Sequence, residues 1–86
     1  MVKISAALIK NHRRIKSVTY TNLNEYKSED FYFYVTEICR RLDISTPLIV
    51  PYTVKCYDEF NSVKIPGEDF VDAVNFDALY LENSDR

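Results

Sequence analysis

One glycine, Gly67, and one histidine, His12, stand among 86 residues, and tryptophan does not occur. A lone glycine excludes the Rossmann G-x-G-x-x-G turn and the P-loop, which need several glycines so that backbone amides can close on phosphate. A lone histidine excludes the H-E-x-x-H zinc helix and most other histidine-based zinc sites. Any Ser-His-Asp or Cys-His arrangement would depend on His12, which the flanking pattern puts in a solvated hairpin turn, so a plain surface histidine is the simpler reading. Cys39 and Cys56 lack C-x-x-C spacing and companion ligands. They read as two free thiols in a reducing compartment. Long apolar runs are missing too. The stretch from Ile4 to Ile9 is shorter than a signal-peptide core, and the stretch from Ile44 to Val54 is broken by Pro47 and Pro51, well below the roughly twenty apolar residues of a membrane helix. The expectation is a soluble, cytoplasmic chain with no cofactor, no metal and no membrane contact.

What is present is the composition of a folded protein, 47% hydrophobic and 28% charged, with seven tyrosines and five phenylalanines. A chain of this length supports one core, so residues 1 to 86 read as a single domain with 83 to 86 frayed. Val2, Ile4, Ala6 and Leu8 alternate with Lys3, Ser5 and Ala7, the period-two pattern of a strand with one buried face over residues 2 to 10. Asn11 and His12 supply turn chemistry, and Arg14 to Thr21 is rich in β-formers, which makes the pair an antiparallel hairpin. Ser28 is placed to cap a helix over 29 to 42, with Glu29 and Asp30 in its first turn and Arg40 and Arg41 in its last. At helical spacing Phe31, Tyr34, Val35, Ile38, Cys39 and Leu42 share one face. Leu48 to Val54 reads as a short, bent or edge strand between prolines. A turn of helix at 57 to 61, a short strand at Val63 to Ile65, a Pro66-Gly67 turn before 68 to 72 and a last strand at 77 to 82 follow. The fold class is α+β: a small, mainly antiparallel twisted sheet of four or five strands, beginning with a hairpin and packed on one main helix.

Two surfaces stand out as candidate interaction sites. Phe33 falls about 200° around the helix from Phe31, in the middle of the polar face, with Tyr32 at its edge. An aromatic side chain there needs a second cover, supplied by the segment 57 to 75, by a partner or by a second copy of the chain. Lys10, His12, Arg13, Arg14 and Lys16 crowd the hairpin tip as a candidate basic patch. Net charge is −2, but residues 1 to 27 carry +5, residues 28 to 57 carry −1 and residues 58 to 86 carry −6. Acidic carboxyl-terminal strands beside the basic hairpin would share this charge across one sheet; a projecting basic ribbon would instead grip nucleic-acid phosphates. The carboxylates Asp58, Glu59, Glu68, Asp69, Asp72 and Asp77 match no EF-hand spacing and read as solvated charge and caps.

Two segments carry a resemblance. Cys39, Leu42, Asp43, Ile44 and Pro47 stand as C-x-x-L-D-I-x-x-P after the amphipathic helix, and Asp69, Phe70, Asp72, Val74, Phe76, Asp77 and Leu79 stand as D-F-x-D-x-V-x-F-D-x-L. Both segments resemble a group of short uncharacterised bacterial proteins of Gram-positive origin, which share this order of elements over almost the whole chain. That group carries no assigned activity, so the resemblance implies a fold and no function. Its members tend to carry basic residues and an aromatic before the position of Asp69, where this chain has Asn61, Ser62, Val63, Lys64 and Ile65. The leading functional expectation is a small non-enzymatic accessory or protein-interaction domain, with a protein partner or a homo-oligomer. Weak nucleic-acid binding through residues 10 to 16 is the alternative. An enzyme, built around Asp58, Glu59, Asp69 and Asp72 in a pocket completed by a second subunit, ranks third.

Overall fold

The computed structural model describes residues 1 to 85 and is an α+β domain. Four strands form one antiparallel sheet in the order β2-β1-β4-β3, with β1 at Val2–Lys10, β2 at Arg13–Asn22, β3 at Ser62–Pro66 and β4 at Ala78–Asn83. Two helices, α1 at Phe31–Leu42 and α2 at Pro51–Phe60, complete the fold. The expected amino-terminal hairpin, the short third strand and the last strand are all present.

Register explains the core. Ile4 faces Tyr20 on β2, Leu8 faces Leu79 on β4, and Ile65 on β3 faces Leu79 in turn. Opposed residues share a sheet face, so Val2, Ile4, Ala6, Leu8, Tyr20, Ile65, Leu79 and Leu81 line one side. The buried face of α1, composed of Phe31, Tyr34, Val35, Ile38, Cys39 and Leu42, packs against it. Each large side chain fully removed from water contributes about 1.5–3 kcal/mol. Among the described residues no helix covers the opposite sheet face. Its innermost residues are small, and Ala7 and Ala78 are nevertheless buried, beneath longer neighbours such as Tyr80.

Three expectations about the chain are corrected. The run Leu48 to Val54 is not a strand: Pro47 forms an isolated bridge with Phe70, and Pro51 opens α2. Proline at the first helical position gives up an N–H that would have had no partner anyway, and its fixed φ suits the first turn. Helical spacing then turns Val54 and Tyr57 toward the core. The turn of helix expected at 57 to 61 is the end of this longer helix, which stops at Asn61 in the left-handed region at φ 60°.

Ser28 does not cap α1. Residues Ser28–Asp30 form a 3-10 turn, Asp30 precedes α1 without a capping bond, and the Ser28 hydroxyl donates to the Asp58 carboxylate on α2. The other end of α1 behaves as its sequence suggests. Arg40 and Arg41 fall in the last turn, Asp43 is left-handed at φ 59°, and Ile44 N–H reaches back to the Cys39 carbonyl at 3.0 Å, which closes the helix as a Schellman motif.

The first residues of the chain meet residues 83 to 85. Asn83 belongs to β4, Ser84 N–H donates to the Lys3 carbonyl, and the Met1 ammonium lies 3.5 Å from the Asp85 carboxylate. Among the described residues no helix is long and apolar enough to cross a membrane.

Candidate functional site

The hairpin positions the basic residues, and it disperses them. Asn11 and His12 have φ of 53° and 65°, the two positive values of a type I′ turn that joins Lys10 directly to Arg13. Between Leu8 and Ile9 the register slips: Leu8 pairs with Lys16 and Ile9 with Arg14, leaving Ile15 in a bulge. The slip puts Arg14 on the open sheet face and Lys16 on the helix face. Arg14 lies over the Tyr80 ring, 5.9 Å from its centre, whereas the Lys16 ammonium donates to the Leu42 carbonyl at the end of α1 at 2.9 Å. The tip does not project as an isolated basic ribbon, because Asp77 stands against it: its carboxylate accepts from Asn11 N–H at 2.8 Å, and its own N–H donates to the Ile9 carbonyl. Lys10, His12 and Arg13 remain exposed there.

The aromatic pair stays open to solvent. Tyr32 is 57% exposed and Phe33 53%. The segment 57 to 75 does not cover Phe33; the ring sits edge-on to Tyr34, 6.3 Å between centres, and walls a cleft with Asn22, Asn24, Lys27 and Asp30. Leu23, between the two cleft asparagines, is 91% exposed. Connection and helix thus bring three large apolar side chains to one end of the molecule, and Leu23 was not singled out by the sequence because an isolated loop leucine carries no periodic signal.

Beneath this end runs a tier of aromatic rings. Tyr34 contacts Tyr20 at 5.9 Å and Tyr26 at 5.6 Å, and Tyr57 contacts Tyr26 at 5.8 Å and Phe31 at 5.1 Å. Such tilted pairs each contribute about 0.5–1.5 kcal/mol beyond the area they bury. Tyr26 donates to Asp58 at 2.6 Å, so Asp58 receives hydroxyls from both Tyr26 and Ser28 and ties the 22 to 30 connection to α2. Burial, followed by the bond to Asp58, raises the Tyr26 hydroxyl well above its ordinary pKa, and burial raises Tyr57. Both stay neutral in ordinary conditions. Asp58, a candidate for acid chemistry in the sequence, is a structural tie.

Cys39 is buried and Cys56 half-buried, both free. Burial pushes the Cys39 thiol up to about 11, the reverse of what a nucleophile needs. Among the described residues no group of three His, Cys, Asp or Glu side chains is arranged to hold a metal ion. Glu68 and Asp72 share a shallow cleft with Phe70 and Phe76, and Glu59 lines a separate groove with Pro51 and Val54.

No family model, no curated protein and no solved structure matches this chain.

Proposed function

We propose that this chain is a small non-enzymatic protein-interaction domain that docks through the outer face of α1. The observation that carries the reading is the adjacency of Tyr32 and Phe33, each about half exposed, on a helix whose other face is wholly committed to the core. Aromatic side chains are the residues that most often anchor interfaces, because they desolvate a large area with few rotatable bonds. Leu23, 91% exposed, lies in the chain between Asn22 and Asn24, which share a cleft with Phe33.

Affinity capture from bacterial lysate with the wild-type chain and with Phe33→Ser, alongside light scattering of each, tests this. A reproducible partner, or a dimer, that is lost in the variant is the expected result. A strict monomer that captures the same background as Phe33→Ser would sink the reading. Nucleic-acid binding at residues 10 to 16 is the weaker alternative, since Asp77 places a carboxylate at the tip and Arg14 and Lys16 point to opposite sheet faces. A titration with short single strands at low and high salt is its test.

A further inference from the structure

The sheet has two edges of different character. β3 is five residues long and ends in Pro66, features that discourage a further strand. β2 is ten residues long, and among the described residues no strand pairs with its outer edge. Which of its backbone groups face outward follows from the ladder. Asp77 N–H bonds Ile9 C=O and Ser84 N–H bonds Lys3 C=O, so odd-numbered residues of β1 turn their backbone groups to the β4 side. The even-numbered residues of β1 therefore bond β2, through their partners Lys16, Val18, Tyr20 and Asn22. Ser17, Thr19 and Thr21 turn their N–H and C=O groups outward, and all three residues are exposed.

Positive charge flanks that open edge on both faces. Arg13 and Lys16 belong to the helix face of β2, and Arg14, beyond the bulge, belongs to the other. Arg41 reaches over from α1, with its guanidinium 5.4 Å from the Tyr20 ring centre, and donates to the Thr19 carbonyl at 3.4 Å, which occupies that one acceptor of the edge. Glu37, one turn before Arg41, is engaged by Arg40. Two copies meeting edge to edge would bring these like charges together, a familiar protection against self-pairing. The same charges suit an extended chain of opposite sign.

We infer that the free edge of β2 binds an extended acidic peptide segment of a partner protein as a fifth strand, with backbone bonds to Ser17, to Thr21 and to the Thr19 N–H, and with carboxylates on the helix face beside Arg13, Lys16 and Arg41. Strand addition of this kind draws affinity from the main chain and selectivity from alternating side chains. The inference rests on the reading of the chain as a protein-interaction domain and adds the chemistry of the ligand.

The test uses the whole chain and a fluorescent peptide of alternating Glu and Val, ten residues long to match β2, read by anisotropy at low salt. Saturable binding is expected, with none for the Lys counterpart. Methylating every peptide N–H should weaken binding by about tenfold or more, the loss of one to two charge-flanked backbone bonds. The double variant Arg13→Glu, Lys16→Glu should weaken it comparably. Thr19→Pro deletes an outward N–H while leaving the β1 ladder intact, and should also weaken it while circular dichroism stays that of the folded chain. Equal affinity for the methylated peptide would overturn strand addition, since charge alone would then suffice. Preference for single-stranded DNA over the Glu peptide would overturn it in favour of a phosphate surface. If no peptide binds while capture still depends on Phe33, the edge inference falls and the α1 reading stands; if both fail, the interaction reading falls with it.

Discussion

Gly67 does not need left-handed backbone; it needs room. A Cβ built there would lie 2.8 Å from the Phe76 carbonyl oxygen and 3.1 Å from a Val74 methyl, and Gly67 N–H is bonded to the Asp77 carbonyl. Since the nearest obstacle is backbone held by that bond, Gly67→Ala should cost about 1–3 kcal/mol, seen as a lower urea midpoint at unchanged slope. An unchanged midpoint would mean that the 67 to 77 segment shifts freely. Cysteine gives a second residue-scale expectation. At pH 8 a thiol reagent should modify Cys56 promptly and Cys39 only as the protein unfolds, because Cys39 is inaccessible and its thiol is raised by burial from 9.0 to about 11. A thiol raised in the folded state adds stability that is complete below its unfolded pKa and is lost as pH rises through the folded value. Stability should therefore fall between pH 9 and about 11, with Tyr26 and Tyr57 adding to the decline above pH 10. Urea titrations across that range should show a shallower decline in Cys39→Ala, and an unchanged slope would remove the thiol as a source.

At the scale of elements, the β1–β2 turn is strained in a correctable way. His12 sits at φ 65°, a region that costs a β-carbon residue about 1–2 kcal/mol and glycine almost nothing. His12→Gly creates the preferred Asn-Gly pair of a type I′ turn and should raise stability by about 0.5–1 kcal/mol after the greater entropy of glycine in the unfolded chain is counted. A lower melting temperature in that variant would show that the His12 side chain itself stabilises the tip. β1 and α1 were legible in the sequence because a clear period runs through each: Val2, Ile4, Ala6 and Leu8 recur at every second position, and the buried residues from Phe31 to Leu42 recur at helical spacing. α2 was not. Leu48, Ile49, Val50, Tyr52 and Val54 favour extended chain by propensity, but Pro51 is ideally shaped for a first helical turn, and the core contact at Tyr57 outweighs a local preference worth only a few tenths of a kcal/mol per residue. The candidate surface was half legible. Phe33 announced itself by falling on the polar face of its helix, whereas the open edge of β2 depends on strand order, which no local pattern encodes.

For the whole molecule, strand order decides how the opposed charges meet. β4, from the acidic third of the chain, lies directly beside β1, from the basic third, so segments of opposite net charge are neighbours in one sheet. Contacts at both ends of that seam are polar: Asp77 meets the turn at Asn11, and the Met1 ammonium meets Asp85. These groups are exposed, so each contact contributes little, and the larger effect is the diffuse attraction between two regions of opposite sign. Salt screens such attraction over about 10 Å at 0.1 M and about 3 Å at 1 M. The urea midpoint should consequently fall on going from low salt to about 0.5 M NaCl, by the equivalent of roughly 0.5–1 kcal/mol, before preferential exclusion of salt reverses the trend. In Asp77→Asn, which keeps the acceptor for Asn11 N–H but removes the charge, the salt-dependent fall should be smaller. A midpoint that rises from the first addition of salt would indicate that repulsion within each third outweighs attraction between them, and that the strand order is held by its apolar face alone.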